Sequence, residues 1–540
     1  MNARYGHGGP DAVDLLITGG SLVDGSGSQA RPGTVASLAG RLHLGDVAWR
    51  PAQAARTIDA SGMVVAPGFI DLHSHGGLVI LADPRHEPKV RQGVTTEVIG
   101  VDGNGYAPFL DHHDLTAFVD LNAGLDGRPE VAYDWDSVAS YIARYDRGQA
   151  VNIAVLIGNS ALRIGSIGWD DRPADEGSLA EMRARLREAM QEGAFGISSG
   201  LDYPPGSFAS TDELAALTAE AAAAGGFYHT HVRYALGDRF LDPFREAIEI
   251  GRLGGGPVHL THFYHRRTYA GGPELLLDLV DGARQSGMDV TFDSYPYEWA
   301  STRLLIQLPQ WVQVGGPMAL KERLADGAAR DRLRAELGAR GAAYTSAAGW
   351  ADVRLGAFTR PENLRWESLT LADVIRESGR DAVDTICDLL MDENLGVAQV
   401  TSGPWSETLP HFVRHPVGMV GTDSTFLGEK PSPRTYGSFP RILGQFVRDE
   451  HLLSLEEAVR KMTGAPAARL GLADRGLLRD GLAADLVVFD PQRVRSNATY
   501  DAPRQFPDGI EYVAVNGELV VDAGVHTGAL SGRALRKGRT

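Results

Sequence analysis

Two histidines one residue apart close the apolar run VVAPGFIDLHSHGG, residues 64–77. Residues two apart on a strand share a face, so His73 and His75 project their imidazoles side by side from the end of one buried strand. That is a chelate. Zinc or a neighbouring first-row ion accepts imidazole nitrogen together with carboxylate oxygen. Further donors end other strand-like runs: Asp102 after TTEVIG, His229 and His231 in GFYHTHV, His259, His262 and His265 in and after PVHLTHF, and Asp423 in VGMVGTD. Singly, each has an ordinary use: Asp423 as a helix N-cap, Asp102 as a turn residue, His262 as a hydrogen-bonded core histidine. Delivered in strand order behind the His73–His75 pair, they predict a centre that holds one or two divalent ions. His86, His112, His113 and His265 stand in polar, loop-like contexts and are assigned no role. No P-loop, H-E-x-x-H or G-x-S-x-G motif competes with this reading.

Such donors meet only if their strands share a rim. From Val64 onward, runs such as VNIAVLIG, AFGISSG and DVTFDSYPY alternate with helical patterns such as SLAEMRARLREAMQEG. This alternation predicts an α/β fold, a (β/α)8 TIM-like barrel over 64–472, whose functional residues sit at the C-terminal ends of its strands. Short, turn-rich strands over 13–63 and 473–540 predict a small β-sandwich domain formed from both chain ends, after an N-terminal tail at 1–12. The mostly helical stretch at about 298–365 predicts an insertion that lies over the barrel mouth as a lid.

Composition excludes several classes. A formal charge of −17 argues against nucleic acid, which needs a basic face. No run approaches a membrane span, and the N-terminus lacks the apolar core of a signal peptide. The single cysteine, Cys387, permits no internal disulfide and fits a reducing, cytoplasmic setting. It lies in the helical pattern DAVDTICDLLM, where a small buried apolar side chain is expected.

PGFIDLHSHGG, RQGVTTEVIG and MVGTDS resemble the metal-dependent amidohydrolase superfamily, and GAFGISSGLDYPPG, YHTHVR, DSYPYEWASTRL and SPRTYGSFPRILG are similar to its D-aminoacylase (N-acyl-D-amino-acid deacylase) family. The resemblance implies a metal-bearing barrel with a β-sandwich, and an N-acyl amide as a small-molecule substrate. It implies that His73, His75 and Asp423 form one metal position and that His231 and His262 hold the other. Asp102 stands where the family carries a cysteine ligand. With no lysine in the fourth strand to serve as a bridge, Asp102 is the bridging candidate. Tyr203 matches the tyrosine that faces the reacting carbonyl, and Tyr264 falls where the family has a substrate-touching lysine. Asp423 is suited to act as the base toward the attacking water. Arg434, able to fork onto a carboxylate, is the candidate for the substrate carboxylate, with Tyr295 adding a hydrogen bond. The expected reaction is release of a carboxylic acid from an N-acyl-D-amino acid by metal-activated hydroxide, with zinc as the first choice of ion. A cyclic amide or ureide hydrolase is the second enzyme reading. A non-catalytic metal-binding homologue is a third.

Overall fold

The computed structural model of the chain describes residues 12–44, 51–234, 239–340 and 349–538. The tail expected at 1–12 lies outside them, Ala12 excepted.

The alternating strands and helices build two parallel sheets. In chain order, β1 (Phe69–Asp71), β2 (Val94–Ile99) and β3 (Asn152–Val155) form one. β4 (Ile157–Gly158), β5 (Gly196–Gly200), β6 (Phe227–His231), β7 (Val258–Leu260), β8 (Val290–Ser294) and β9 (Gly418–Val420) form the other, as neighbours in that sequence. Every pairing in both is parallel. All residues of β2, β5, β6 and β8 are buried, the condition of parallel strands covered on both faces. Only Leu156 separates β3 from β4. Beyond β1 and β9 the chain meets itself through a bridge between Ser74 and Ser424. There the Asp423 N–H donates to the His73 carbonyl at 2.8 Å.

The run from Val64 to His75 reads as one strand, and the structure divides it at Gly68. Val64–Pro67 pairs antiparallel with Leu486–Phe489, whereas Phe69–Asp71 opens the parallel sheet as β1. Pro67 has no N–H for a ladder. A Cβ on Gly68 would sit 2.2 Å from Thr95 Oγ1, so only glycine lets the chain pass this close to β2. Val64–Pro67 belongs to a nine-stranded sheet that takes its other strands from both chain ends, among them Val13–Leu22, Arg31–Leu38 and Ile510–Val515.

Between β8 and β9 the chain makes a long excursion. Patterning bounds it at about 298–365, but the structure carries it to Ser402. Ala398–Ser402 pairs antiparallel with Trp299–Arg303 and Arg354–Gly356. Helix Ala382–Asp392 packs Ile386, Cys387 and Leu390 into the same apolar cluster as Leu304 and Leu320.

A buried charge network fastens β1, β2 and the segment after β9. Lys89, on the short helix Glu87–Val90, is fully buried and pairs with Asp71. Its Nζ also donates to Thr422 Oγ1 at 2.7 Å and lies 3.4 Å from Glu97 Oε1. Asp71 accepts from the backbone N–H groups of His73 (3.1 Å) and Thr422 (2.9 Å). Removing one partner of a buried pair leaves an uncompensated charge. Lys89→Met is therefore expected to destabilise the metal-free protein by about 3–5 kcal/mol in equilibrium urea unfolding. A loss below about 1 kcal/mol would show that the network is dispensable.

Candidate metal centre

Six of the sequence-predicted donors converge at the C-terminal ends of the parallel strands. His73 and His75 follow β1, Asp102 follows β2, His231 ends β6, His262 follows β7 and Asp423 follows β9. All six are buried. Asp102 Oδ2 is the hub. It lies 3.3 Å from His73 Nε2 and 3.6 Å from each of His75 Nε2, His231 Nδ1 and His262 Nε2. Asp423 Oδ1 lies 3.5 Å from His73 Nε2 and 3.3 Å from His75 Nε2. Two donor groups result, His73–His75–Asp102–Asp423 and Asp102–His231–His262, and Asp102 belongs to both.

The backbone is bent to deliver these side chains. Asp102, His262 and Asp423 have φ of +52°, +33° and +48°, in the left-handed region that non-glycine residues rarely enter. Gly200, at the end of β5, makes room for the first of them. A Cβ there would sit 2.0 Å from the Asp102 carbonyl oxygen and 2.7 Å from the Tyr203 ring.

Three of the four imidazoles are locked from behind. In the tautomer that leaves each inward nitrogen a lone pair, His75 Nδ1–H donates to Asp126 Oδ1 (2.6 Å) and His231 Nε2–H to Asp202 Oδ2 (3.1 Å). His262 Nδ1–H donates to the Tyr234 hydroxyl (3.2 Å). Such partners fix the orientation and basicity of metal-binding histidines. Sequence reasoning missed all three. Asp126 ends helix His112–Asp126 and carries no local signal. Asp202 lies inside the motif GLDYPPG and Tyr234 directly follows YHTHVR, and that placement was the available clue.

The donors fit a cation. His73 Nε2 is fully buried and makes no hydrogen bond, and a buried orphan of this kind calls for an ion or water. The 3.3–3.6 Å spacings are longer than ordinary N–H···O bonds. They match the edges, roughly 3.3–3.6 Å, of a tetrahedron with bonds of about 2.0–2.2 Å. Electrostatics agrees. Burial opposes charge on Asp102, but His73, His231 and His262 hold its carboxyl well below the usual range. Burial likewise opposes charge on Asp423, and Arg434 and His73 outweigh it, keeping its carboxyl low. On His73, burial is overcome by Asp102, Asp423 and Asp293, which push the ring up to about 10. His231 rises to about 9, burial being outweighed by the neighbouring Asp102 and Asp202 carboxylates. Two ionised carboxylates thus attract positive charge to a buried position.

The predicted substrate residues lie beside this cluster. The Tyr203 ring is 4.8 Å from that of His231, and its hydroxyl is 3.0 Å from Thr302 Oγ1, on the first strand of the excursion. Burial and Asp102 push the Tyr203 phenol up, so it keeps its proton. Arg434 is fully buried, pairs with Asp423 Oδ2 at 2.6 Å and stacks over Tyr295 at 4.4 Å. The Tyr295 hydroxyl and Arg434 Nε have no hydrogen-bond partner. Tyr264 faces Tyr295 with rings 5.7 Å apart. The remaining histidines of β6 and β7 stand deeper: His229 Nε2 donates to the Leu72 carbonyl (3.2 Å), and His259 bonds Asp293. His86 and His265, read as loop residues, are buried, and His86 pairs with Glu97.

Comparison with known proteins agrees with this geometry. The sequence profile of the amidohydrolase family matches residues 56–521. The N-acyl-D-aspartate deacylase of Alcaligenes xylosoxydans xylosoxydans is 34% identical over 530 residues, which span 96% of this chain and 94% of that protein. The crystal structure of N-acyl-D-glutamate deacylase from Bordetella bronchiseptica, complexed with zinc and a phosphonate mimic of the tetrahedral intermediate, superimposes with a TM-score of 0.81 at 29% identity, covering 97% of this chain and all (100%) of that one. D-aminoacylase, which has a binuclear metal centre, gives a TM-score of 0.80 at 30% identity, with 97% and 100% coverage. By both its profile match and its near full-length similarity to these deacylases, the chain belongs to the amidohydrolase family.

Proposed function

We propose that this chain is a metal-dependent deacylase that hydrolyses N-acyl-D-amino acids to a carboxylic acid and a free D-amino acid. The observation that carries this reading is the convergence of four imidazoles and two carboxylates around Asp102 Oδ2. His73, His75 and Asp423 would hold one divalent cation, His231 and His262 a second, with Asp102 shared between them. Zinc suits these donors, and the relatives named above support it. When bound, such a cation supplies Lewis acidity to the scissile carbonyl and makes water a stronger acid by several pKa units.

The chain's own residues do the rest. Ionised Asp423 accepts the proton of the attacking water at a carboxylate oxygen and passes it to the departing amide nitrogen. The Tyr203 hydroxyl, kept protonated by its surroundings, donates to the oxyanion that develops on the carbonyl oxygen. The unpartnered Tyr295 hydroxyl and Arg434 Nε form a buried donor pair suited to the substrate's α-carboxylate, and Tyr264 walls that side.

The same reading extends to the architecture. The two parallel sheets are taken as arcs of one (β/α)8 barrel, supported by the Ser74–Ser424 bridge and by the single residue between β3 and β4. The excursion after β8 serves as a lid, since Thr302 reaches Tyr203 and Ser301 reaches Arg434 (3.1 Å). The nine-stranded sheet is the body of a separate β domain. No helix of the described residues is long and apolar enough to cross a membrane, and we place the enzyme in the cytoplasm.

A panel of N-acetyl-D-amino acids, their L-enantiomers and hydantoins tests the substrate class. The D-compounds should be cleaved at least about 100-fold more efficiently than the L-compounds. Equal rates, or preference for hydantoins, would contradict the assignment. Asp423→Asn should lower kcat by about 10²–10⁴ in a folded protein, and a near-normal kcat would remove Asp423 from the role of base.

A further inference from the structure

Asp293, at the inner end of the site on β8, has no part in the proposed reaction, though it bonds His259 and faces His73. It is fully buried, and its two oxygens serve different halves of the cluster. Oδ1 accepts the backbone N–H of His262 at 2.8 Å, at the residue whose φ of +33° aims its ring at Asp102. Oδ2 faces His73 Nδ1 at 3.5 Å. The same oxygen accepts from His259 Nε2–H at 2.9 Å, and the far nitrogen of His259 accepts from the Thr291 hydroxyl at 2.8 Å. The His259 ring is stacked on His229 at 5.3 Å and 19°, which braces it against Asp293. Gly421 presses on the other side: a Cβ there would lie 2.7 Å from Asp293 Cγ and 2.8 Å from Oδ1.

We propose that Asp293 is a positioning residue that couples the two halves of the metal centre, holding the His262 backbone in its left-handed turn with one oxygen and fixing the Nδ1–H tautomer of His73 with the other. His73 is the one imidazole of the cluster with no hydrogen-bonded partner behind it. Between two fully buried side chains, a carboxylate anchored by His259 and facing Nδ1 orients that ring by charge and leaves Nε2 with its lone pair toward Asp102 and Asp423. One carboxylate therefore sets both halves, and its displacement should weaken both together. The inference rests on the reading that the cluster holds divalent cations.

The test uses cobalt binding. Asp293→Asn keeps the size but removes the charge facing His73 and offers one acceptor oxygen where the His262 and His259 N–H groups use two. Gly421→Ala changes no charge and pushes Asp293 from its place. Metal-free wild type and both variants are titrated with Co²⁺, bound metal per chain is measured by plasma mass spectrometry, and the visible ligand-field spectrum is recorded, with circular dichroism as the fold control. Both folded variants are expected to bind cobalt roughly 10–100-fold more weakly and with an altered spectrum. Wild-type affinity and spectrum in either folded variant overturns the proposal. Should Asp293→Asn not fold, Gly421→Ala decides by the same criterion. A wild-type chain that takes up no cobalt overturns the metal reading itself, and this inference with it.

Discussion

Four imidazole nitrogens, all on buried residues, stand within 3.6 Å of one carboxylate oxygen, that of Asp102. Burying polar atoms is costly when they go unpaired: His73 Nε2 has no hydrogen bond, the inward nitrogens of His231 and His262 face each other at 3.0 Å, and a positive charge among them offsets the cost. The rest of the site is arranged around this requirement. Asp126, Asp202 and Tyr234 turn three rings inward, and left-handed backbone at Asp102, His262 and Asp423 puts their side chains where regular strand geometry would not. Local strain of this kind persists where the surrounding fold over-determines it. Here the fold does so through fully buried parallel strands and through the Lys89–Asp71 network, which fastens the ends of β1 and β2 to Thr422.

The chemistry follows from how charge is divided. Asp102 turns one oxygen to four imidazoles and the other to the Thr261 hydroxyl (3.5 Å), neither a fixed cation, whereas Asp423 meets the Arg434 guanidinium on its second oxygen. Asp102 is thus suited to hold cations in place, and Asp423, tied to both the cluster and Arg434, to handle a proton. All donors are nitrogen or oxygen. The one cysteine, Cys387, is buried in the excursion's own apolar cluster. The site therefore lacks the soft thiolate that would favour zinc strongly over harder first-row ions.

Much of the centre was legible in the sequence because strand periodicity is simple. His73 and His75 share a face at a spacing of two, and Asp102 and Asp423 end strands in order. Periodicity could not choose between His229 and His231, which share a face. The choice depends on depth: His231 is the last residue of β6 and reaches the cluster, while His229 sits two residues inward against the Leu72 carbonyl. His262 and His259 divide in the same way around the end of β7. The orienting partners were not legible either, since each arrives from a helix or loop distant in sequence. Nor was the break at Gly68, which exists because Thr95 of β2 lies against it. The excursion's true extent was hidden because Ala398–Ser402 pairs with a strand about a hundred residues earlier.

The claim that Asp102 is the shared anchor of a metal centre is tested most directly by anomalous diffraction at the zinc edge from crystals of the zinc-loaded protein. The account predicts the strongest peak inside the cage, between Asp102 and the His73–His75–Asp423 group, the His231–His262 pair, or both. A fully loaded protein with no peak beside Asp102 would contradict it.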